Sequence, residues 1–334
     1  LSEQERARAL LWGLALGDAL GWPIEFLSMQ KIRTVYGQEG IREPPTPAEI
    51  TDDTQTAIAL TKALIDAGEM AIDDLMDVFT RYLIEIGNSH VNTRAMGITV
   101  TEAIRTLEAG ISWREAGIPH AKGCGSAIRV ASVGYLYQRD PDRLREVAHA
   151  TGIATHSHPV AQAGALAAAY LVKLALDGTP PGEYLERVLA FAGGISPEFD
   201  VSMESVQTIL NHPDEFTAIT HLGDGWVANE SIAMAIFCAI RHPNDYKAAV
   251  RRAVNIPGDS DSVGCITGGI VAARVSLQGI PLDWVQRLEP VDKALPPEWL
   301  SGLESRAEII AVADYLKDLA DKLTAKKLEI YGES

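Results

Sequence analysis

Two short clusters of acids and hydroxyls in the 334-residue sequence have the residue types and spacing to hold a hard cation. Thr51-Asp52-Asp53-Thr54-Gln55 follows a proline-rich loop and opens a helical pattern. Gly258-Asp259-Ser260-Asp261-Ser262 closes the loop Asn255-Ile256-Pro257 and opens another. The first, taken alone, reads as an ordinary helix start, with Thr51 as the cap and the two acids complementing the positive end of the dipole. The second resists that reading. Val263 to Ala273 are nearly all small or apolar, so this helix belongs in the interior, and no Lys or Arg follows until Arg274. Its leading carboxylates are then partly buried, which is costly without a partner. An Asp-x-Asp pair followed by a hydroxyl places oxygen ligands on one turn, a donor set suited to a divalent ion. Asp52, Asp53, Asp259 and Asp261 together bring about −4, which two divalent ions balance.

Three other segments carry candidate groups. Gly17-Asp18-Ala19-Leu20-Gly21 sets an acid in an apolar helix end, where it caps or pairs locally or joins a site. Glu25 follows a proline turn between Trp22 and Phe26, a setting that desolvates a carboxylate. Lys122-Gly123-Cys124-Gly125-Ser126 is a glycine-rich turn into a helix, readable as a plain tight turn or as amides that cradle a phosphate. Thr155-His156-Ser157-His158 precedes an alanine-rich helix; its two imidazoles alternate, so at most one of them faces a site.

Helices must position these groups. Apolar residues recur at helical spacing over residues 5–20, 54–67 (ending at Gly68), 72–86, 94–108, 127–137, 142–151, 159–176, 184–191, 229–241, 245–254, 263–277 and 306–328. Strand-like alternation is scarce. Runs of Ala and Gly at 161–169 and 264–273 predict helices whose axes pack closely. The proline-rich loops are too short to be linkers, and there is no internal repeat. The expectation is one compact all-α domain spanning 1–334.

Composition bounds the function. With 29 basic against 45 acidic residues the net charge is −16, and the pI is near 4.9. That balance excludes an extended nucleic-acid surface or an electrostatic hold on anionic lipid. Apolar residues at 47% exclude a wholly disordered chain. Cys124, Cys238 and Cys265 are odd in number and lack metal-pair spacing. Leu1-Ser2-Glu3-Gln4-Glu5-Arg6 does not have the order of a signal peptide, and no apolar run approaches the ~20 residues of a spanning helix. These features lead to the expectation of a soluble, cytoplasmic protein with no membrane partner.

Gly17-Asp18-Ala19-Leu20-Gly21 with Glu25, Thr51-Asp52-Asp53-Thr54, Gly123-Cys124-Gly125, Thr155-His156 and Gly258-Asp259-Ser260-Asp261-Ser262 resemble, in order and spacing, the motifs of the ADP-ribosylglycohydrolase family. The resemblance runs from about residue 9 to about 280. It implies a compact orthogonal multi-helix bundle and two divalent cations, Mg2+ or Mn2+. It also implies cleavage of the glycosidic bond that joins ADP-ribose to an acceptor, so that an ADP-ribose moiety is the partner. Carried over by motif, Thr51, Asp52 and Asp53 ligate from one side, and Asp259, Asp261 and Ser262 from the other. Glu25 sits at the mouth. Gly123, Cys124, Gly125 and Ser126 resemble a phosphate-contacting loop, and His156 a ribose- or phosphate-contacting histidine. Asn92 and Thr93 fall on a substrate-facing loop, and Trp226 shapes the adenosine side. Family members acting on ADP-ribosyl-arginine carry an Asp shortly before the Asn-Thr pair, where this chain has Ser89-His90-Val91. Cys124 stands in place of a common Asn, and Ser262 in place of a frequent Thr.

The chemistry so implied passes through a cation-like anomeric carbon stabilised by carboxylates, with the ribose hydroxyls on the ions. Glu25 is the candidate for steering water or protons, with Asp259 or Asp261 as the alternative. Two other readings compete. A catalytically silent ADP-ribose-binding relative would have lost ligands, yet all six positions carry oxygen side chains. An enzyme of prenyl diphosphates would need a further acid one turn after Asp52-Asp53, and its apolar pocket more than 6% aromatic residues.

Overall fold

Ser2 and Glu5 close a capping box at the start of α1 (Glu3–Gly21), each side chain accepting the other residue's amide. The computed structural model describes residues 2–94, 96–302 and 310–332. Within them the chain continues through α2 (Met29–Tyr36), α3 (Asp52–Ala67), α4 (Ile72–Asn88), α5 (Ile98–Glu108), α6 (Ala131–Leu136), α7 (Pro141–Ile153) and α8 (Pro159–Leu176). It then forms α9 (Tyr184–Ala192), α10 (Pro197–Ile209), α11 (Glu215–Thr220), α12 (Ala228–Arg241), α13 (Tyr246–Val254), α14 (Ser260–Gly279), α15 (Leu282–Val285) and α16 (Val312–Tyr331). Among the described residues there is no sheet, only isolated bridges such as Gly123 with Val227. The all-α expectation holds.

The tightest packing runs along α1 and α14. Gly13, Gly17 and Gly21 recur every four residues on α1, and Gly264 and Gly268 do so on α14, so each helix presents one bare stripe. The helices cross antiparallel with backbone against backbone. A Cβ on Gly17 would lie 2.0 Å from the Gly264 carbonyl oxygen, and one on Gly268 would lie 2.2 Å from that of Gly13. Tyr246 of α13 pins the same seam, its hydroxyl donating to the Gly13 carbonyl at 2.5 Å. This close approach brings the C-terminal end of α1, with Asp18, beside the N-terminal end of α14, with Asp261.

Some elements depart from the sequence expectation. The pattern over 94–108 becomes helical only at Ile98, and that over 127–137, which follows a short 3-10 turn (Cys124–Ser126), becomes helical only at Ala131, where α6 starts. The start predicted at Arg306 lies outside the described residues, and α16 is described from Val312. The helices α2, α10, α11 and α15 carried no expectation. In α2 Ile32 alone is buried, and α15 is four residues long, so neither displays an apolar stripe. By length and composition α8 is apolar enough to cross a membrane, a property that apolar run length missed because Gln162 and Lys173 interrupt it. Of that stretch 83% is buried inside the fold, which accounts for its composition.

Candidate active site

The helix starts that carry the acids are held by another acid. Asp18, fully buried near the end of α1, accepts from the Thr51 amide at 3.0 Å and hydroxyl at 2.9 Å. It also accepts from the Thr54 amide at 3.2 Å and hydroxyl at 2.5 Å. Asp18 thus caps α3 from a different helix, satisfying first-turn amides that α3 cannot satisfy itself. Thr51, the local N-cap, also accepts from the Asp53 amide at 3.2 Å. A buried ion pair fastens the preceding residue: Glu289 accepts from the Ile50 amide at 2.8 Å, and Arg94 donates to the Ile50 carbonyl at 2.7 Å while pairing with Glu289.

At the start of α14, Asp259 and Asp261 flank Ser260. The Asp259 amide donates to the Asp224 carbonyl at 2.9 Å, and this docks the Gly223–Trp226 turn onto the acid turn. Gly258 makes the approach feasible, since a Cβ there would lie 1.9 Å from the Asp224 oxygen. From the other side the Cys124 thiol donates to Asp259 at 2.9 Å. The glycine turn, the Trp226 turn and the second acid turn therefore form one connected rim.

Between them lies a cleft of about 170 Å³. Its walls include Glu25, Asp52, Asp53, Gly123, Cys124, Gly125, His156, Trp226, Asp259, Asp261 and Ser262. The two acid turns, over 200 residues apart in sequence, do converge. Carboxylate oxygens of Glu25, Asp259 and Asp261 come within 4.8 Å of one another, a spacing that fits a metal ion. At the mouth Trp226 stacks on Phe26, with ring centroids 5.3 Å apart.

Burial and mutual repulsion dominate the electrostatics. Burial first, then the charges of Asp259, Asp52 and Asp18, push Glu25 up to about 8. Burial, followed by Asp18 and Asp259, takes Asp52 to about 7. Asp53 and Asp261 lie well above the ordinary carboxylate range for the same reasons, and Asp259 is raised by burial. Asp18 reaches about 6 through burial, with its threonine hydrogen bonds opposing. No Lys or Arg lines the cleft among the described residues. Asp53 Oδ2 and Glu25 Oε2 are buried without a hydrogen-bond partner among the described residues. Oxygen-only donors, orphaned lone pairs and uncompensated charge all fit a hard cation.

Other residues singled out from the sequence lie near the cleft without lining it. The Thr51 hydroxyl gives its proton to Asp18, and Thr51 is fully buried. The Ser126 hydroxyl donates to the Ala161 carbonyl at 3.0 Å, away from the cleft. The Asn92 amide donates to the Gly87 carbonyl at 2.9 Å, and Thr93 is likewise not a wall residue. In their place Gly97, Thr99 and Val100 line that side. Sequence reasoning also passed over the stack of Phe26 on the wall residue Trp226, Arg94 with Glu289, and Arg129 behind Thr155. Arg94 and Arg129 are isolated cations in apolar surroundings, and nothing local indicates which distant group each one meets.

The chain belongs to the ADP-ribosylglycohydrolase family, whose model matches residues 1–328. It is similar to an uncharacterized protein of Archaeoglobus fulgidus, 28% identical over 96% of each chain. It is also similar to the ADP-ribosyl-[dinitrogen reductase] glycohydrolase of Rhodospirillum rubrum, 24% identical over 86% of this chain and 92% of that one. An ADP-ribosylarginine hydrolase, Tri1 of Serratia proteamaculans, is 26% identical over 85% of this chain and 75% of its own length. Among solved structures, an ADP-ribosylglycohydrolase-related protein complex superposes with a TM-score of 0.71 at 26% identity, covering 97% of this chain and 99% of that one. The family and these named hydrolases define a glycohydrolase that acts on linkages to ADP-ribose.

Proposed function

We propose that this chain hydrolyses the glycosidic bond between ADP-ribose and an acceptor at a centre of two divalent cations, Mg2+ or Mn2+. The observation that supports this most is the cleft itself: among the described residues, five wall carboxylates with no Lys or Arg beside them, two with orphaned buried oxygens. Asp52, Asp53, Asp259 and Asp261, with the hydroxyls of Thr51 and Ser262, are the residues that would hold the ions. When bound, such ions orient ribose hydroxyls and lower the pKa of a nearby water.

The chain's own groups divide the remaining work. Glu25, half-buried at the mouth, is the carboxylate placed to hold or pass a proton at the scissile bond. Asp259 and Asp261 provide the negative field that stabilises a cation-like anomeric carbon. Gly123, Cys124 and Gly125 let a diphosphate approach the backbone, and His156 closes that end. The stacked Phe26 and Trp226 offer a flat apolar face for adenine.

The test pairs calorimetric titration of Mg2+ and Mn2+ with release of ADP-ribose from an ADP-ribosylated protein. Asp261→Ala should lose cation binding and turnover while its circular dichroism stays helical. A chelator-treated and reloaded Asp261→Ala protein that hydrolyses at the wild-type rate overturns the proposal.

A further inference from the structure

Arg129 is fully buried with no carboxylate within ion-pair distance among the described residues, although the chain carries a net charge of −16. Among the described residues its Nε and Nη1 have no hydrogen-bond partner, and its guanidinium carbon stands 5.4 Å from the centre of the Phe79 ring. A buried cation held so sparsely is expensive, and stability alone does not explain its place in the core.

Its remaining contacts lead to the cleft. Arg129 Nη2 donates to the Thr151 carbonyl at the end of α7 and, at 2.7 Å, to the Thr155 hydroxyl oxygen. That oxygen lies 2.8 Å from His156 Nδ1. A guanidinium can only donate, so the Thr155 oxygen accepts from Arg129, and its own proton is free to go elsewhere. Thr155 is fully buried, and among the described residues its hydroxyl has no partner besides Arg129 and His156. If Nδ1 carried a proton toward that oxygen, the hydroxyl proton would have no acceptor. The arrangement that leaves nothing unpaired has Nδ1 accepting.

We infer that Arg129 and Thr155 are positioning residues that hold His156 as the neutral imidazole protonated at Nε2, so that it presents a fixed N–H donor to an oxygen of the bound ligand and does not accept a proton in the reaction. The glycine turn is built for this. A Cβ on Gly123 would lie 3.3 Å from Nε2, and one on Gly125 would lie 2.9 Å from Cε1, so side chains at either position would crowd the donor. The backbone of His156 is fixed at both ends, its amide donating to the Gly152 carbonyl at 2.9 Å and its carbonyl accepting from Gln162 at 2.5 Å. Burial, with the Arg129 charge adding to it, pulls the imidazole down to about 3, which keeps it neutral throughout the physiological range. Burial also pulls Arg129 down, to about 9, which leaves it a cation at neutral pH. The assignment of the tautomer stands on hydrogen-bond geometry alone. The oxygen it donates to, a phosphate or ribose oxygen, rests on the reading of the cleft as an ADP-ribose site.

The experiment has two arms on the full chain. In the first, imidazole nitrogens are observed by NMR in protein with 15N-labelled histidine, His156 being assigned among the eight histidines by its loss in His156→Asn. The expected result is protonated Nε2 and bare Nδ1 across the neutral range; a protonated Nδ1 in the wild-type protein overturns the inference without any variant having to fold. In the second, ADP-ribose is titrated into wild type, Thr155→Val and Thr155→Ser, and turnover is measured on an ADP-ribosylated protein. Thr155→Val should weaken ADP-ribose binding about tenfold and raise KM with kcat kept within about twofold, and Thr155→Ser should restore both. Wild-type affinity in Thr155→Val overturns the positioning role. A wild-type protein that shows the Nε2–H signal yet binds no ADP-ribose upholds the tautomer and overturns the ligand, and with it the proposed function.

Discussion

Gly21 and Asp261 touch through their backbones: a Cβ on Gly21 would lie 2.5 Å from both Cα and N of Asp261. The last turn of α1 and the first turn of α14 are thus set against each other with no side chain between them. The same stripe continues through Gly17 on Gly264 and Gly13 on Gly268. Asp18 sits one turn before this contact and caps α3, so the seam fixes both acid turns relative to one another. Packing energy and site geometry are here the same set of contacts.

Gly17→Ala is therefore expected to be destructive. Its methyl would need to occupy space 2.0 Å from the Gly264 oxygen, a backbone atom that moves only if the helices separate. The expected loss is about 1–3 kcal/mol or more by denaturant unfolding, with weaker divalent-cation binding in whatever remains folded. Gly182→Ala, where the added methyl meets nothing within 4 Å, serves as the control and should leave the midpoint unchanged.

The Arg94–Glu289 pair predicts a second kind of defect. Glu289 is 2% exposed and holds the Ile50 amide, directly before the Thr51–Asp53 turn. Glu289→Ala leaves the Ile50 amide without its acceptor and Arg94 with only the exposed Glu49, 3.9 Å away, so the expected cost is about 1–3 kcal/mol. Removing Arg94 as well should recover part of it. The check is a double-mutant cycle read by urea denaturation, with the coupling expected to exceed that of the exposed pair Arg42–Glu39.

How much of this was legible in the sequence follows from where the information lies. The helix starts at Asp52 and Ser260 were readable because capping, acids and small-residue runs are local signals. Their convergence was readable only as an inference from uncompensated charge and a family resemblance. Asp18 capping α3, Glu289 gripping Ile50 and Arg129 backing His156 were not readable, because each joins residues more than 25 positions apart with nothing in the intervening sequence to encode the pairing. Asn92 and Thr93 were placed on the substrate loop by resemblance; the Asn92 amide instead turns back to α4, and the wall there is made by Gly97 and Thr99.

The raised acids give the chelated protein an unusual pH dependence. Unfolded Glu and Asp titrate near 4, whereas folded Glu25 reaches about 8 and Asp52 about 7. Between those values the folded state binds more protons than the unfolded state, so these groups make stability fall as pH rises. A bound cation stabilises the charged forms and reverses the shift. The melting temperature of the cation-loaded protein minus that of the chelated protein should therefore grow from about pH 4 to about pH 8. A difference that stays flat over that window would show that the carboxylates do not share a cation.

Phe26 separates stability from function. Its φ of 63° places a bulky residue in the left-handed region, and it is 67% exposed, so neither local conformation nor burial favours it. What it gains is the stack on Trp226, worth about 0.5–1.5 kcal/mol, against a left-handed cost of about 1–2 kcal/mol. Phe26→Gly relieves the backbone and removes the stack, two effects that nearly cancel. Its melting temperature should stay within a few degrees of wild type. The flat face proposed for adenine would nonetheless lose one of its two rings, so KM for an ADP-ribosylated substrate should rise several-fold with kcat changed far less. Steady-state kinetics beside a thermal melt decide it: an unchanged KM would mean that the strained residue shapes the mouth without touching the ligand.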